Sequence, residues 1–173
     1  MAGLEQFRSH GLQVIRARAF NHTGPGQLPR FVVSAFAKQI AQIEAGRQAP
    51  VMGVGNLSAR RDFLDVRDVV QAYVALMERG EAGCAYNVCS GRAVAMQTIL
   101  DGFLANAKVG IEVERDPALF RPVDVAELVG SNEALMAATG WQPRIPLEQT
   151  LADVLAYWRA QVPFFGDAVT TMA

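Results

Sequence analysis

The stretch LQVIRARAFNHTGPGQLPRFVVSAFAKQIAQIEAG, residues 12–46, holds three patterns in succession, and their order decides the fold. Residues 12–20 alternate apolar and polar side chains between Gly11 and a turn-rich NHTGPGQLP, the period of a strand. The end of that strand delivers Asn21 and His22 into a loop. From residue 30 to residue 45, Val32, Val33, Phe36, Ile40 and Ile43 recur at helical spacing, and Gly46 follows as a C-cap. Strand, loop and helix in that order open an α/β unit.

The alternation continues to the end of the chain. Residues 50–55 read as a short strand and 63–66 as a brief extended piece. A helix then starts at Asp65 or Asp68 and stops at Arg79-Gly80. A strand at 86–89, a helix at 98–107, an extended segment at 111–114 and a turn or strand at 125–128 follow. The segment 132–139 is a helix stopped by Gly140, and 146–159 is a last helix with Leu147, Leu151, Val154, Leu155 and Trp158 on one face. Trp141 and Trp158 read as packing residues. Such alternation predicts an α/β fold with at least partly parallel strands, without internal repeat or long linker.

Composition narrows the function classes. With 173 residues, 51% of them hydrophobic, the chain is long enough for one core and one domain. Sixteen Lys and Arg against seventeen Asp and Glu, with no basic block, argue against a nucleic-acid partner. The longest apolar runs are broken well short of a membrane span, and MAGLEQFRSHG shows no signal-peptide pattern, so a cytoplasmic protein is expected. Cys84 and Cys89, in CAYNVC, are spaced to fall on opposite faces of a strand, which suits neither a redox pair nor a zinc site. Both read as reduced, buried small hydrophobes.

Catalytic signatures are missing. Neither GxGxxG after a strand nor GxxxxGK occurs, and GVGNLSAR at 53–60 lacks the third glycine and opens into polar turn residues. No tyrosine is followed at four residues by lysine, and two histidines without clustered Cys or Asp argue against a metal centre. What remains reads as a binding module. Asn21 and His22 stand at the carboxyl end of a strand, where α/β sheets place ligand groups, although Asn21 also suits a cap on the Gly24-Pro25-Gly26 turn. Arg60 and Arg61 carry paired donors that suit a diphosphate, or else a surface pair or a salt bridge to Asp62 or Asp65. Arg121 and Asp124 in FRPVDV combine a phosphate-binding cation with an acceptor for ribose hydroxyls, or form a structural ion pair.

Four segments carry a family resemblance: RARAFNHTGPGQ (16–27), GNLSARRDFLDVRDVVQAY (55–73), YNVCSG (86–91) and RPVDVAELVGSNEALMAATGWQP (121–143). In order and spacing they resemble the C-terminal half of extended short-chain dehydrogenase/reductases (SDRs) of the NAD-dependent epimerase/dehydratase family. They look most like the reductases of GDP-6-deoxy-4-ketomannose and next most like GDP-mannose 4,6-dehydratases, whose basic run after the Asn21 position is replaced here by GPGQ. The resemblance implies the last Rossmann strands plus a small α/β substrate-binding domain. Residues 1–29 would be the end of a Rossmann helix, a strand and the NHTGPGQ loop; residues 30–173 would be mostly substrate-binding, with a return strand and helix near 62–80.

It also implies residue roles. Asn21, Arg61, Arg121 and Asp124 would contact a GDP-sugar, with Arg121 on the diphosphate and Asp124 on the ribose. Val32 and Leu57 would pack around the base; read without the resemblance, each passes as ordinary core. Phe20, through its backbone, and His22 would lie near a nicotinamide. In the complete enzyme the cofactor is NAD(P)H; this chain, lacking GxxGxxG and YxxxK, is expected to hold none alone and to be inactive alone. Expected partners are a GDP-sugar and either a separate Rossmann-half polypeptide or a second copy of the chain.

Overall fold

The computed structural model describes residues 2–120 and 125–162. The chain forms two compact units, one from Met1–His22, Arg60–Val94 and Val125–Leu147, the other from Thr23–Ala59, Ala95–Asp124 and Glu148–Ala173.

In the first unit, α1 (Ala2–His10) leads through a coil to β1 (Arg16–Ala19), which pairs in parallel with β5 (Ala85–Val88), Arg16 opposite Ala85 and Ala19 opposite Val88. The strand expected over 12–20 is therefore shorter, and Asn21 and His22 are not in a loop. They begin β2 (Asn21–Thr23), which neighbours β4 (Arg60–Asp65) in a second sheet, so the chain changes partner strand at Phe20. The amide of Phe20 still donates to Val88 O at 3.0 Å, the last bond to the first sheet.

β4 also neighbours β6 (Ala93–Ala95) and pairs in parallel with β8 (Glu127–Leu128). Its last four residues, Asp62 to Asp65, are buried. β4 runs straight into α3 (Val66–Arg79), whose N-cap is Asp65: the carboxylate accepts from the Arg67 amide at 2.8 Å and pairs with the Arg67 guanidinium at 2.7 Å. Val69, Ala72, Ala75 and Leu76 of α3 pack with Leu64, Tyr86, Val88, Leu135 and Trp141. The other side of α3 is apolar as well, with Val70 51%, Tyr73 42%, Val74 47% and Met77 84% exposed. Trp141 is locked by its indole N–H donating to Asp68 O at 3.1 Å, and the Asp68 carboxylate accepts from the amides of Arg144 and Ile145. Helix α5 (Glu133–Thr139) ends at Gly140, whose φ of 70° is the left-handed cap that glycine favours.

In the second unit, α2 (Val32–Glu44), α4 (Met96–Leu104) and α6 (Leu147–Gln161) accompany the parallel pair β3 (Val51–Val54) and β7 (Glu112–Arg115). The core is apolar, with Val33, Phe36, Ile40, Met52, Val54, Ile99, Leu100, Phe103, Val154 and Leu155 nearly inaccessible. The Ser34 hydroxyl accepts from the Trp158 indole at 2.8 Å and donates to Gln27 O at 2.6 Å, so a buried polar atom is satisfied on both sides. Glu44 closes this unit with two 2.7 Å bonds from Arg159 and one of 2.9 Å from the Lys108 amide. The guanidinium holds the Glu44 carboxyl below its ordinary range, against an opposing effect of burial.

Candidate functional site

The strands that carry the expected site residues in the first unit are adjacent. β2 bears Asn21 and His22, and its neighbour β4 bears Arg60 and Arg61. Asn21 is exposed, and its side-chain amide makes no hydrogen bond among the described residues. It does not cap the following turn: that turn is closed by the Thr23 hydroxyl donating to Gln27 Oε1 at 2.8 Å and the Gln27 amide donating to Gly24 O at 3.3 Å. The His22 Nδ1 lies 3.0 Å from Phe20 O; a carbonyl oxygen only accepts, so this bond needs the proton on Nδ1. The Phe20 ring lies against Gly130, where an added Cβ would approach it to 2.6 Å.

Arg60 pairs with Glu127 at 2.7 Å and donates to Ala93 O at 2.9 Å, a structural tie between neighbouring strands. Arg61 is half-buried, and one guanidinium nitrogen donates to Arg60 O at 2.8 Å. Between them and α3 stands Asp62, fully buried, whose carboxylate accepts from the Ser90 amide and hydroxyl, the Gly91 amide and the Gly130 amide at 2.6–3.3 Å. Asp62 is thus an organiser of the loops at the end of β5 and before α5. Burial, then the charge of Asp62, pushes the neighbouring Cys89 thiol up to about 11. Cys89 is buried as expected, but Cys84 is only half-buried; both are free thiols.

In the second unit the carboxyl ends of β3 and β7 come together, since Val54 stands opposite Arg115 and the Asp116 amide donates to Val54 O at 2.9 Å. The loops that leave them enclose a pocket of about 320 Å³ lined by Gly55, Asn56, Leu57, Ser58, Gln97, Arg115 and Phe120. Gly55 is required there, because an added Cβ would come within 2.7 Å of Leu119 O. The loop is pinned by the Asn56 carboxamide oxygen accepting from the Ser58 amide and hydroxyl, and by the Gln97 amide donating to Leu57 O. Leu57 is half-buried in the pocket wall rather than in the core. Val32, the first residue of α2, is 38% exposed, so it too is not core, and it does not line this pocket. Arg121 and Asp124 lie outside the described residues.

Sequence reasoning found Leu57 but missed its companions Gln97, Arg115 and Phe120, which belong to no motif and are joined only by strand pairing. The sequence signal for the pocket was the pair of glycines in GVGNLSAR, rejected above as a dinucleotide loop. Among the described residues no group of His, Cys, Asp or Glu is arranged to hold a metal ion, and no helix is long and apolar enough to cross a membrane. The fit to a nicotinamide cofactor is one-sided: Phe20 and His22 stand at the end of β1 and the start of β2, but the sequence has no GxGxxG loop for the diphosphate.

Comparison with known proteins agrees with this architecture. The chain superimposes on a solved structure of RMD from Pseudomonas aeruginosa complexed with NADPH with a TM-score of 0.87 and 39% identity, over 92% of this chain and 53% of that one. It also superimposes on a putative epimerase from Burkholderia cenocepacia with a TM-score of 0.75 and 38% identity. The GDP-6-deoxy-D-mannose reductase of Pseudomonas aeruginosa is 41% identical over 154 residues, 89% of this chain and 51% of the relative. A GDP-mannose 4,6-dehydratase of Yersinia enterocolitica is 26% identical over 86% of this chain and 47% of its own length. The fold is therefore that of the C-terminal part of a Rossmann-type SDR of the epimerase/dehydratase kind. Within that class the chain belongs to the GDP-mannose 4,6 dehydratase family, whose model matches residues 4–154. It spans about half the length of the curated relatives it matches, 51% and 47% for the two above.

Proposed function

We propose that this chain is the sugar-nucleotide-binding portion of an NAD(P)-dependent GDP-4-keto-6-deoxymannose reductase. The observation that carries the reading is the pocket at the carboxyl ends of β3 and β7, where α/β folds bind ligands, with Leu57 in its wall. Its volume, about 320 Å³, is at the lower end of the range for small-molecule sites and suits one base of a nucleotide. The 41% identity to a GDP-6-deoxy-D-mannose reductase supports GDP as the nucleotide.

In this reading Leu57 packs on the base, Arg61 and Arg121 hold the diphosphate, Asp124 meets the ribose, and Asn21 contacts the sugar; Val32 borders the base. In a complete enzyme the nicotinamide supplies hydride to C4 of the sugar, with Phe20 and His22 beside it. This chain supplies binding and orientation, and holds the reacting carbon in place. The partner is a Rossmann-half polypeptide or a second copy, met through β1 and the outer face of α3. A cytoplasmic location fits this chemistry.

Calorimetric titration of GDP tests the reading. Arg61→Ala and Arg121→Ala are each expected to weaken binding about ten- to a hundredfold, the worth of one charge-assisted contact. Equal affinity in wild type and both variants would remove the two arginines from the site, and no GDP binding by the wild type would remove the function.

A further inference from the structure

Among the described residues the pocket has one cation, and its placement carries more than the presence of a nucleotide. Arg115 is the last residue of β7, fixed opposite Val54 by the parallel ladder, and its guanidinium makes no hydrogen bond or ion pair among the described residues. Every other polar wall group is already partly engaged. The Asn56 carboxamide oxygen accepts from Ser58, and the Gln97 amide nitrogen donates to Asp101 Oδ1 at 2.8 Å. Leu57 and Phe120 supply apolar lining against which a flat ring can pack. A planar aromatic ligand held there would meet, at its edge, a five-donor fork that makes no bond to another described residue.

The chemistry of that fork discriminates among bases. Guanine offers two acceptors, O6 and N7, on one edge at the spacing of a bidentate guanidinium contact. Adenine offers N7 beside an amino donor, which opposes the guanidinium, and uracil has no such pair in that position. We propose that Arg115 is the specificity-determining residue of this site, reading the O6/N7 edge of guanine and rejecting adenine. This rests on the GDP-sugar reading of the pocket and adds the residue that sets base choice.

The test is calorimetric titration of GDP, ADP and UDP into the full 173-residue chain and into Arg115→Met and Arg115→Lys. Arg115 is exposed at a strand end, so both variants are expected to keep the wild-type unfolding midpoint. Wild type should prefer GDP over ADP by about ten- to a hundredfold, and Arg115→Met should bring the ratio close to one by weakening GDP alone. Arg115→Lys, which keeps the charge and loses the fork, should recover only part of the preference. A GDP to ADP ratio unchanged in Arg115→Met overturns the inference while leaving the GDP reading intact. Equal weakening of all three nucleotides in Arg115→Met, rescued by lysine, also overturns it, because the side chain then grips phosphate. Wild-type protein that binds GDP no better than UDP and ADP removes the GDP reading, and this inference with it.

Discussion

Asp62 shows how a single buried carboxylate organises this fold. Three backbone amides and one hydroxyl converge on it, so removing the charge leaves buried donors facing an amide that must present its own N–H groups. Asp62→Asn is expected to lose about 2–3 kcal/mol of stability in urea unfolding, and Ser90→Ala about 1 kcal/mol, since that variant removes one hydroxyl donor, leaves the three amides on Asp62 satisfied and releases only the amide of exposed Arg92. The thiol beside it should be inert. With a pKa of about 11, Cys89 is thiolate in only about one molecule in a thousand at pH 8, and it is buried besides. Mass spectrometry after iodoacetamide treatment should find Cys89 unmodified until the protein is unfolded. In the second unit, Glu44 is the acid-sensitive group. Its folded pKa is depressed, so its contribution is full above the ordinary carboxylate pKa and is lost as pH falls through and below about 4. The stability difference between wild type and Glu44→Gln, read by urea unfolding, should therefore be largest near neutrality and shrink on acidification. An unchanging difference between pH 7 and pH 3 would show that the Arg159 pair contributes through shape alone.

Among the elements, α3 makes the strongest demand on its surroundings. One face is core; the other presents Val70, Tyr73, Val74 and Met77 at helical spacing to solvent. β1 is bonded to β5 on one edge, and among the described residues no strand pairs with the other. An exposed apolar stripe and an open strand edge each invite association, and Val74→Lys with Met77→Glu should increase the monomer fraction in sedimentation velocity while leaving the unfolding midpoint within a few degrees. A wild-type chain that is already a dispersed monomer at micromolar concentration would refute that.

The same elements show what the sequence could express. The helices were legible because 3.6-residue periodicity survives over nine or more residues in α2, α3 and α6. β2 and β6, three residues each, are too short to hold a period. The alternation over 12–20 extends beyond the strand itself: the ladder with β5 runs only from Arg16 to Ala19, and Leu12, outside it, is 55% exposed. The segment at 63–66 reads from sequence only as a brief extended piece. Instead it is the end of a buried β4 with strands beside it, because the partner change at Phe20 builds a second sheet. Of the candidate site, motif residues such as Arg61 and Leu57 could be named from sequence. Arg115 could not, since only the pairing of β3 with β7, residues far apart in the chain, brings it to Gly55 and Leu57.

At the scale of the whole molecule, the absence of GxxGxxG and YxxxK from a chain half the length of its relatives leads to one expectation. Pure protein supplied with NADPH and a GDP-4-keto-6-deoxy sugar should show no oxidation of the cofactor at 340 nm, on the order of the instrument's blank, because the sequence carries no YxxxK tyrosine to protonate the alkoxide. Steady turnover would mean that a different constellation does the chemistry.

The two compact units are woven from six alternating segments of one chain, so that the backbone passes from one to the other five times. Neither can be cut out by trimming an end. The consequence reaches heredity: a single crossover between related genes, at any point within codons 23 to 147, would assemble each of the two units from both parents at once.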